Sequence, residues 1–373
     1  MKREDWLTDE NVYVPLERIR EFSNRVLARM GVPEADAKIT TEILLLSDVW
    51  GIRSHGIAHL KLYNDRIKHG HQRATTNYQV VRDMPSTAVV DGGNGMGQVV
   101  GFNAMKLTIE KARQSGIGAV AVRNSSHYGI AGYYVKMAVD EGLLGMAFTN
   151  ARPAVTPTFG AYPLLGTNPI AFGVPTDEPF PFLFDAATSV AARGKVEIAE
   201  RAHKSIPEGW VINADGTMAT DSAQILKDMV TKQATLLPLG GVGEMFGGHK
   251  GYGLGTMVEI LSSTLQGGAF LSGLTDFDKD GKPQPLRIGH FFMAMRIDNF
   301  IEIAEFKKNT GNLLRELRAA RKVPGAERIY TAGEKEYYRT LKINQEGLDI
   351  SLGLQKNLKG LGQELGVDFD LGF

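Results

Sequence analysis

RNSSHYGIAGYY, residues 123–134, lies between two apolar runs of different period, and that change of period decides the fold. The run before it, Ile117-Gly118-Ala119-Val120-Ala121-Val122, is short, continuous and rich in β-branched residues, as a buried strand is. Behind it Tyr134, Met137, Ala138 and Leu144 take up helical spacing, and Asn124, Ser125 and Ser126 are expected to cap that helix. A polar loop running from a strand's end into a helix start offers free backbone N–H groups and the positive end of the helix dipole. His127 stands in this loop, so an anionic group can be held beside an imidazole that titrates near neutral pH. A lone loop histidine is more often structural, so the remaining chain must supply partners.

Outward from this loop, LLGMAFTN (143–150) reads as a second buried strand, giving a β-α-β texture and hence a sheet with helical cover. Upstream, YQVVRD (78–83) and STAVVDGG (86–93) read as strands, and residues 102–114 as a helix. Downstream come short strands in IAFGVP (170–175) and FPFLFDAAT (180–188), then a hairpin in WVINADGTMATD (210–221) turning at Asp215-Gly216. A glycine-dense loop leads into a helix beginning near HKGYGLG (249–255), and RIGHFFMAMRID (287–298) is another strand. Helices open the chain: Pro15 to Gly31 with Ile19, Phe22, Val26 and Met30 on one face, then Pro33 to Gly51, then a stretch ending near Gly70. Helices at about 299–321 and 334–341 lead to a glycine-rich tail. With helical ends and a sheet-rich middle, the expected division is a helical domain of residues 1–76 with 310–373 and an α/β domain of 77–309.

Composition narrows the function. Lysine plus arginine and aspartate plus glutamate both number 42 in 373 residues, a balance that disfavours nucleic acid or an anionic membrane as the main partner. No apolar run reaches the roughly 18 residues of a membrane helix. MKREDWLTDENVYV lacks the apolar core of a signal peptide, so the cytoplasm is expected. There is no cysteine, which excludes thiolate catalysis and cysteine-held metal.

Several motifs are tempting and fail. GGNGMGQVVG (92–101) has Gln98, and GYGLGT (251–256) has Thr256, where a dinucleotide fingerprint needs its third glycine. Any nucleotide site must therefore be of non-Rossmann type. Asp276, Asp278, Asp280 and Gly281 imitate a calcium loop, but its twelfth position is Arg287, so the segment reads as a solvated turn. His55 and His59 share a helical face without a third ligand nearby, so no metal is expected. His55 with Ser54 fits an acid/base imidazole oriented by a hydroxyl; a satisfied structural histidine is the plainer reading. Asp185 suits fixing a histidine's tautomer, accepting from ribose or carboxamide, or capping a helix. Lys250, beside paired glycines at a helix start, suits a phosphate or carboxylate. Thr167 and Asn168 are expected as exposed hydrogen-bonding groups.

RSHGIAHL, NSSHYGIAGYY, LLGTNPIAFGVP, FDAATSVAARGKV, WVINADGTMATD and LPLGG…GGHKGYGL, in this order, together resemble the malate/L-lactate dehydrogenase family of the non-Rossmann type. That family includes relatives acting on ureidoglycolate, sulfolactate, diketogulonate and cyclic imino acids. The resemblance spans nearly the whole chain. It implies a mixed-sheet, non-Rossmann α/β nucleotide-binding core, a helical domain built from both ends, and a homodimer with active sites near the interface. It implies hydride transfer between NAD or NADP and C2 of a small 2-hydroxy/2-oxo acid, most simply malate or lactate. The alternatives are a cyclic imino acid or another 2-oxo acid. His55 and His127 become candidate proton donors, with Ser54 and Asp185 beside them. Cofactor contacts are implied at His127, Tyr128, Gly129, Ile130 and Ala131, at Asp185, Ala186 and Ala187, at Lys250, and at Gly333 and Glu334; Thr167 and Asn168 fall to the substrate. One position departs: many members carry arginine four residues after the SHG histidine, and here it is His59. Either His59 grips the substrate carboxylate, or Arg53, Arg152 or Lys250 does.

Overall fold

The computed structural model describes residues 11–372; the opening stretch read above for a signal peptide lies, up to residue 10, outside the described residues. Strand β1 (Val12–Val14) is followed by α1 (Leu16–Arg29), α2 (Glu34–Val49), a single 3₁₀ turn at Arg53–His55 and α3 (His59–Lys68). Next come β2 (Gln79–Asp83), β3 (Thr87–Asp91), α4 (Gly97–Ser115), β4 (Ile117–Ser125), α5 (Ala131–Asp140) and β5 (Leu144–Thr149). Then β6 (Ile170–Val174), β7 (Phe182–Ala186), α6 (Arg193–Arg201), β8 (Val211–Asn213), β9 (Met218–Ala219), α7 (Ser222–Val230) and β10 (Ala234–Leu236) follow. The chain closes with α8 (Gly248–Ser262), β11 (Ile288–Met295), α9 (Ile303–Ala319), α10 (Glu334–Glu346), β12 (Leu348–Ile350) and α11 (Leu352–Leu365).

The main sheet is mixed, with order β2-β3-β4-β11-β5-β6-β7. Only the β3–β4 pair is parallel, joined through α4 as a crossover; the other neighbours are antiparallel. The expected β4-α5-β5 unit exists, yet its strands are not neighbours: β11, arriving far later in the chain, inserts between them. Its alternation of Ile288, His290, Phe292 and Ala294 toward buried positions lets it fit there. Gly118 lets α4 press onto β4, since a Cβ there would meet the Thr108 carbonyl at 2.1 Å.

The N-terminal helices form as their spacing predicts. Ile19, Phe22 and Val26 are buried on one face of α1, and Gly31, at φ +87°, ends it. Helix α4 begins at Gly97 rather than near 102, because Ser126 Oγ accepts its first N–H at 2.9 Å. That cap comes from the loop after β4, where no local reading would seek it.

The first and last strands of the described residues meet, and the expected glycine-rich tail is corrected to β12 and α11. β12 pairs antiparallel with β1, Val12 opposite Ile350. α11 buries Leu358 and Leu361, and its Gly362 lies against Phe22. Helical spacing of leucines outweighs the glycines' weak propensity because the apolar stripe has α1 and α3 to cover it. The terminal helices and the main sheet share one apolar core. A second core, with Val155, Val196, Val211, Ile225 and Leu236, sits beneath α6, α7 and the three-stranded sheet β10-β8-β9, which contains the expected hairpin.

Candidate active site

Three imidazoles from two distant parts of the chain gather where β4 ends. Ring centroids lie 5.4 Å apart for His55 and His127, 4.8 Å for His59 and His127, and 5.9 Å for His55 and His59, all stacked. His55 ends the 3₁₀ turn and His59 opens α3. The turn is held from behind by Asp48 of α2, whose carboxylate accepts the Ile57 N–H at 2.7 Å. Gly56 makes this possible, since a Cβ there would lie 2.0 Å from that carboxylate. Ser54 Oγ sits 2.8 Å from His55 Nδ1, the expected pairing.

His127 is fixed by a residue the sequence reading passed over. Tyr63, one turn after His59 on the same face of α3, is fully buried, and its hydroxyl lies 2.8 Å from His127 Nδ1. Gln98 Nε2 donates to that hydroxyl at 2.6 Å, so the phenol donates onward to His127 Nδ1. The neutral ring's proton then belongs on Nε2. Next along the chain, Tyr128 is clamped between Tyr134 (4.7 Å) and His290 (4.3 Å), and His290 bridges Ser125 and Thr149 with 2.8 Å contacts from each nitrogen. The His127 backbone thus rests on a packed aromatic column.

Burial controls the electrostatics. It holds His55 down to about 4 and His59 to about 3, and keeps His127 well below the ordinary imidazole value, with neighbouring imidazoles and Arg66 adding to the effect on His59 and His127. All three are neutral at pH 7. Burial pushes the Tyr63 phenol well above its usual value, so it stays a hydroxyl. Among the described residues, no three histidine or acidic side chains converge as a metal requires.

The other expected residues fall in several places. Asn124, Ser125 and Ser126 do not cap α5, because the strand runs on through Ser125 and the helix begins only at Ala131. Asp185, at the end of β7, supplies the missing acceptor instead: its Oδ2 takes the Gly132 N–H at 2.7 Å. Burial raises its carboxyl to about 6, opposed by that N–H. Asp185 is therefore the helix-end anion for Gly129-Ile130-Ala131, with Ala186 and Ala187 just beyond it. Asn168, expected to be exposed, is fully buried; its amide donates to the Gly255 carbonyl at 2.9 Å and to Glu259 at 2.8 Å. Its neighbour Thr167 uses its carbonyl to accept from Thr188. Glu334 is buried against Arg328 and caps the Thr331 N–H, while Gly333 lies against the Pro181 carbonyl on the β7 side.

Of the proposed cationic substitutes, Arg53 is committed to buried Asp349 and Arg152 to Asp276. Lys250, in the first turn of α8, has no carboxylate partner among the described residues and lines a cleft of ≈ 400 Å³ with Gly247, Gly251 and Glu244. Arg66, missed by the sequence reading, stands seven residues after His59, on the face that carries His59 and Tyr63. Its signal was legible in HLKLYNDR, where positions 59, 63 and 66 share a helical stripe.

No helix among the described residues is long and apolar enough to cross a membrane. The family model for malate/L-lactate dehydrogenase matches residues 14–359. The chain is 44% identical over 361 residues to malate dehydrogenase of Pyrococcus horikoshii, covering 96% of this chain and 98% of that protein. It is 38% identical to L-sulfolactate dehydrogenase of Methanocaldococcus jannaschii, covering 92% and 95%. The crystal structure of malate dehydrogenase from Entamoeba histolytica superposes with a TM-score of 0.93 at 41% identity, covering 96% and 99%. Sequence, mixed sheet and structural neighbours agree, and this chain belongs to the malate/L-lactate dehydrogenase family.

Proposed function

We propose that the protein is an NAD(P)-dependent dehydrogenase of small 2-hydroxy acids, malate or lactate in the first place, with His55 as acid/base and His127 as the hydrogen-bond donor to the reacting oxygen. The observation that carries this is the cluster of three neutral, partly desolvated imidazoles between the SHG turn and the end of β4. In this reading the helical unit, residues 1–76 with 310–373, contributes His55 and His59, and the α/β unit, 77–309, contributes His127.

A nicotinamide, when bound, takes or supplies the hydride at C2 of the acid. Everything else falls to the chain. With Ser54 accepting from Nδ1, His55 has Nε2 free to receive the proton of the substrate hydroxyl as the alcohol is oxidised. In reduction the same nitrogen returns it. An anionic substrate nearby raises the imidazole's affinity for that proton, which desolvation had lowered. His127, its Nδ1 taken by Tyr63, presents Nε2–H to the oxygen on which negative charge develops. The donor set also fits a dinucleotide's phosphates: Lys250, which has no carboxylate partner among the described residues, is a cation at a glycine-lined helix start. An exposed apolar stripe on α8, with Met257 and Ile260, supports a homodimer, since two copies without net charge meet without net repulsion.

The test is hydride-transfer rate at saturating NADH for His55→Ala and His127→Ala, with oxaloacetate, pyruvate and pyrroline-2-carboxylate. His55→Ala is expected to lose about 10²- to 10⁴-fold. Near-full rate in His55→Ala with abolition in His127→Ala reverses the two roles. Turnover of the cyclic imine alone assigns the chain to imine reduction, and the same panel with NADPH reads the coenzyme preference.

A further inference from the structure

We propose that Asp349, on strand β12, is a positioning residue for His55, acting through Arg53, so that β12 governs the rate of the reaction as well as the stability of the fold. This rests on the reading of His55 as acid/base given above and adds the device that aims it.

The segment that carries His55 has little to hold it from within. Its backbone closes on itself through a single 3₁₀ turn, with the His55 N–H on the Ile52 carbonyl at 3.0 Å and the Gly56 N–H on the Arg53 carbonyl at 3.5 Å. One such turn has poor hydrogen-bond geometry and does not persist alone. Its position must come from outside, and it arrives symmetrically about His55. Two residues after the imidazole, Asp48 of α2 takes the Ile57 N–H at 2.7 Å. Two residues before it, the Arg53 guanidinium donates to Asp349, 296 residues further along the chain.

Asp349 is placed to hold that side. Its side chain is buried; one carboxylate oxygen takes Arg53, and the other accepts from Arg339 Nη2 at 3.0 Å. Its backbone lies opposite Tyr13 of β1, and Leu348 and Ile350 on either side are buried, so the carboxylate stands on a pinned strand. Arg339 closes the bracket. A Cβ at Gly51 would lie 2.7 Å from Arg339 Cδ, so that side chain runs across the residue that leaves α2, whose φ of +75° starts the turn. Charge-assisted hydrogen bonds to a buried carboxylate are directional, and they fix an angle that apolar packing leaves free. An acid/base needs that precision, since misplacement by about 1 Å costs about 10²-fold in rate.

The experiment measures kcat, and KM for NADH and for oxaloacetate or pyruvate, in Asp349→Asn, Asp349→Glu, Arg53→Gln and the double variant of Asp349→Asn with His55→Ala. Hydrogen exchange of the 52–57 amides is followed in parallel. Asp349→Asn keeps the size and removes the charge; kcat is expected to fall about 10- to 100-fold with both KM values nearly unchanged. In the His55→Ala background the same substitution is expected to change kcat by less than about twofold, because the imidazole it aims is gone. An equal loss in both backgrounds makes Asp349 a general support of the fold and overturns the proposal. Asp349→Glu retains the charge and is expected to recover part of kcat. Exchange is expected to quicken at 52–57 alone, whereas Leu358→Ala, a cavity in α11, quickens it across the helical unit and keeps kcat. If Asp349→Asn does not fold, Arg53→Gln decides, since it leaves Asp349 paired with Arg339. A wild-type kcat there, or a raised 2-oxo acid KM at unchanged kcat, overturns the proposal. Should His55→Ala keep full rate, or neither acid turn over in the wild type, the acid/base reading falls and exchange judges the bracket by itself. Quickened exchange at 52–57 in Asp349→Asn then sustains it, and unchanged exchange ends it.

Discussion

Removing one oxygen tests how His127 is held. Tyr63→Phe keeps a fully buried ring and deletes the hydroxyl between Gln98 and His127. Two hydrogen bonds disappear, of 2.8 Å and 2.6 Å, and the Gln98 amide stays buried without its acceptor. An orphaned buried donor costs about 1–3 kcal/mol of stability. Freeing the ring from one neutral hydrogen bond of about 1 kcal/mol lowers kcat by roughly fivefold, at 1.4 kcal/mol per factor of ten. Urea unfolding reads the first effect, and kcat at saturating NADH and 2-oxo acid the second. The double variant Tyr63→Phe with Gln98→Leu separates them. Replacing both partners by apolar groups restores most of the stability, because nothing polar stays buried, while kcat stays low because His127 is still unheld. Wild-type stability and wild-type kcat in Tyr63→Phe would refute the relay.

Asp48→Asn keeps an acceptor for the Ile57 N–H and removes a carboxyl that burial raises to about 7. A raised acid stabilises the fold fully below its unfolded value near 4 and loses that contribution as pH rises through about 7. Asn is therefore expected to gain relative to wild type between pH 5 and pH 8 in thermal unfolding; a relative loss over that range contradicts the sign. The depressed histidines act oppositely: stability is present above about 6.5 and lost as pH falls toward 4 and 3, so differential scanning calorimetry should show Tm dropping on acidification, with a smaller drop in His290→Gln. Gly56→Ala drives a Cβ to 2.0 Å from the Asp48 carboxylate and is expected to cost roughly 1–3 kcal/mol, with activity falling as the SHG turn moves. For the proposed homodimer, Ile260→Asp places a charge on the exposed α8 stripe; light scattering is expected to report a dimer for the wild type and monomers for the variant, and equal masses for the two would exclude that face as the interface.

The main helices and strands were legible because each is amphipathic or continuously apolar over its own length. The strand before His127, the hairpin at Asp215-Gly216 and the α1 stripe of Ile19, Phe22 and Val26 needed no distant partner to be read. The site was half legible. Ser54 beside His55 follows from adjacency, and the six ordered motifs carried the family. Tyr63, Arg66 and Asp48 were passed over because their importance depends on what packs against α2 and α3, although their positions on those helices could have raised them. Asn168 was misread because its loop is polar in sequence yet lies under α8.

Local chemistry in the chain therefore determined the kinds of element, the absence of a Rossmann phosphate loop and the identity of the imidazoles. Only the tertiary structure decided that β11 enters between β4 and β5, that Ser126 caps α4 rather than α5, and that Asp185 serves the start of α5. The reason is range. Periodicity and capping preference act over a few residues, whereas strand order and the partner of a buried polar group are set by which distant surfaces exclude water together.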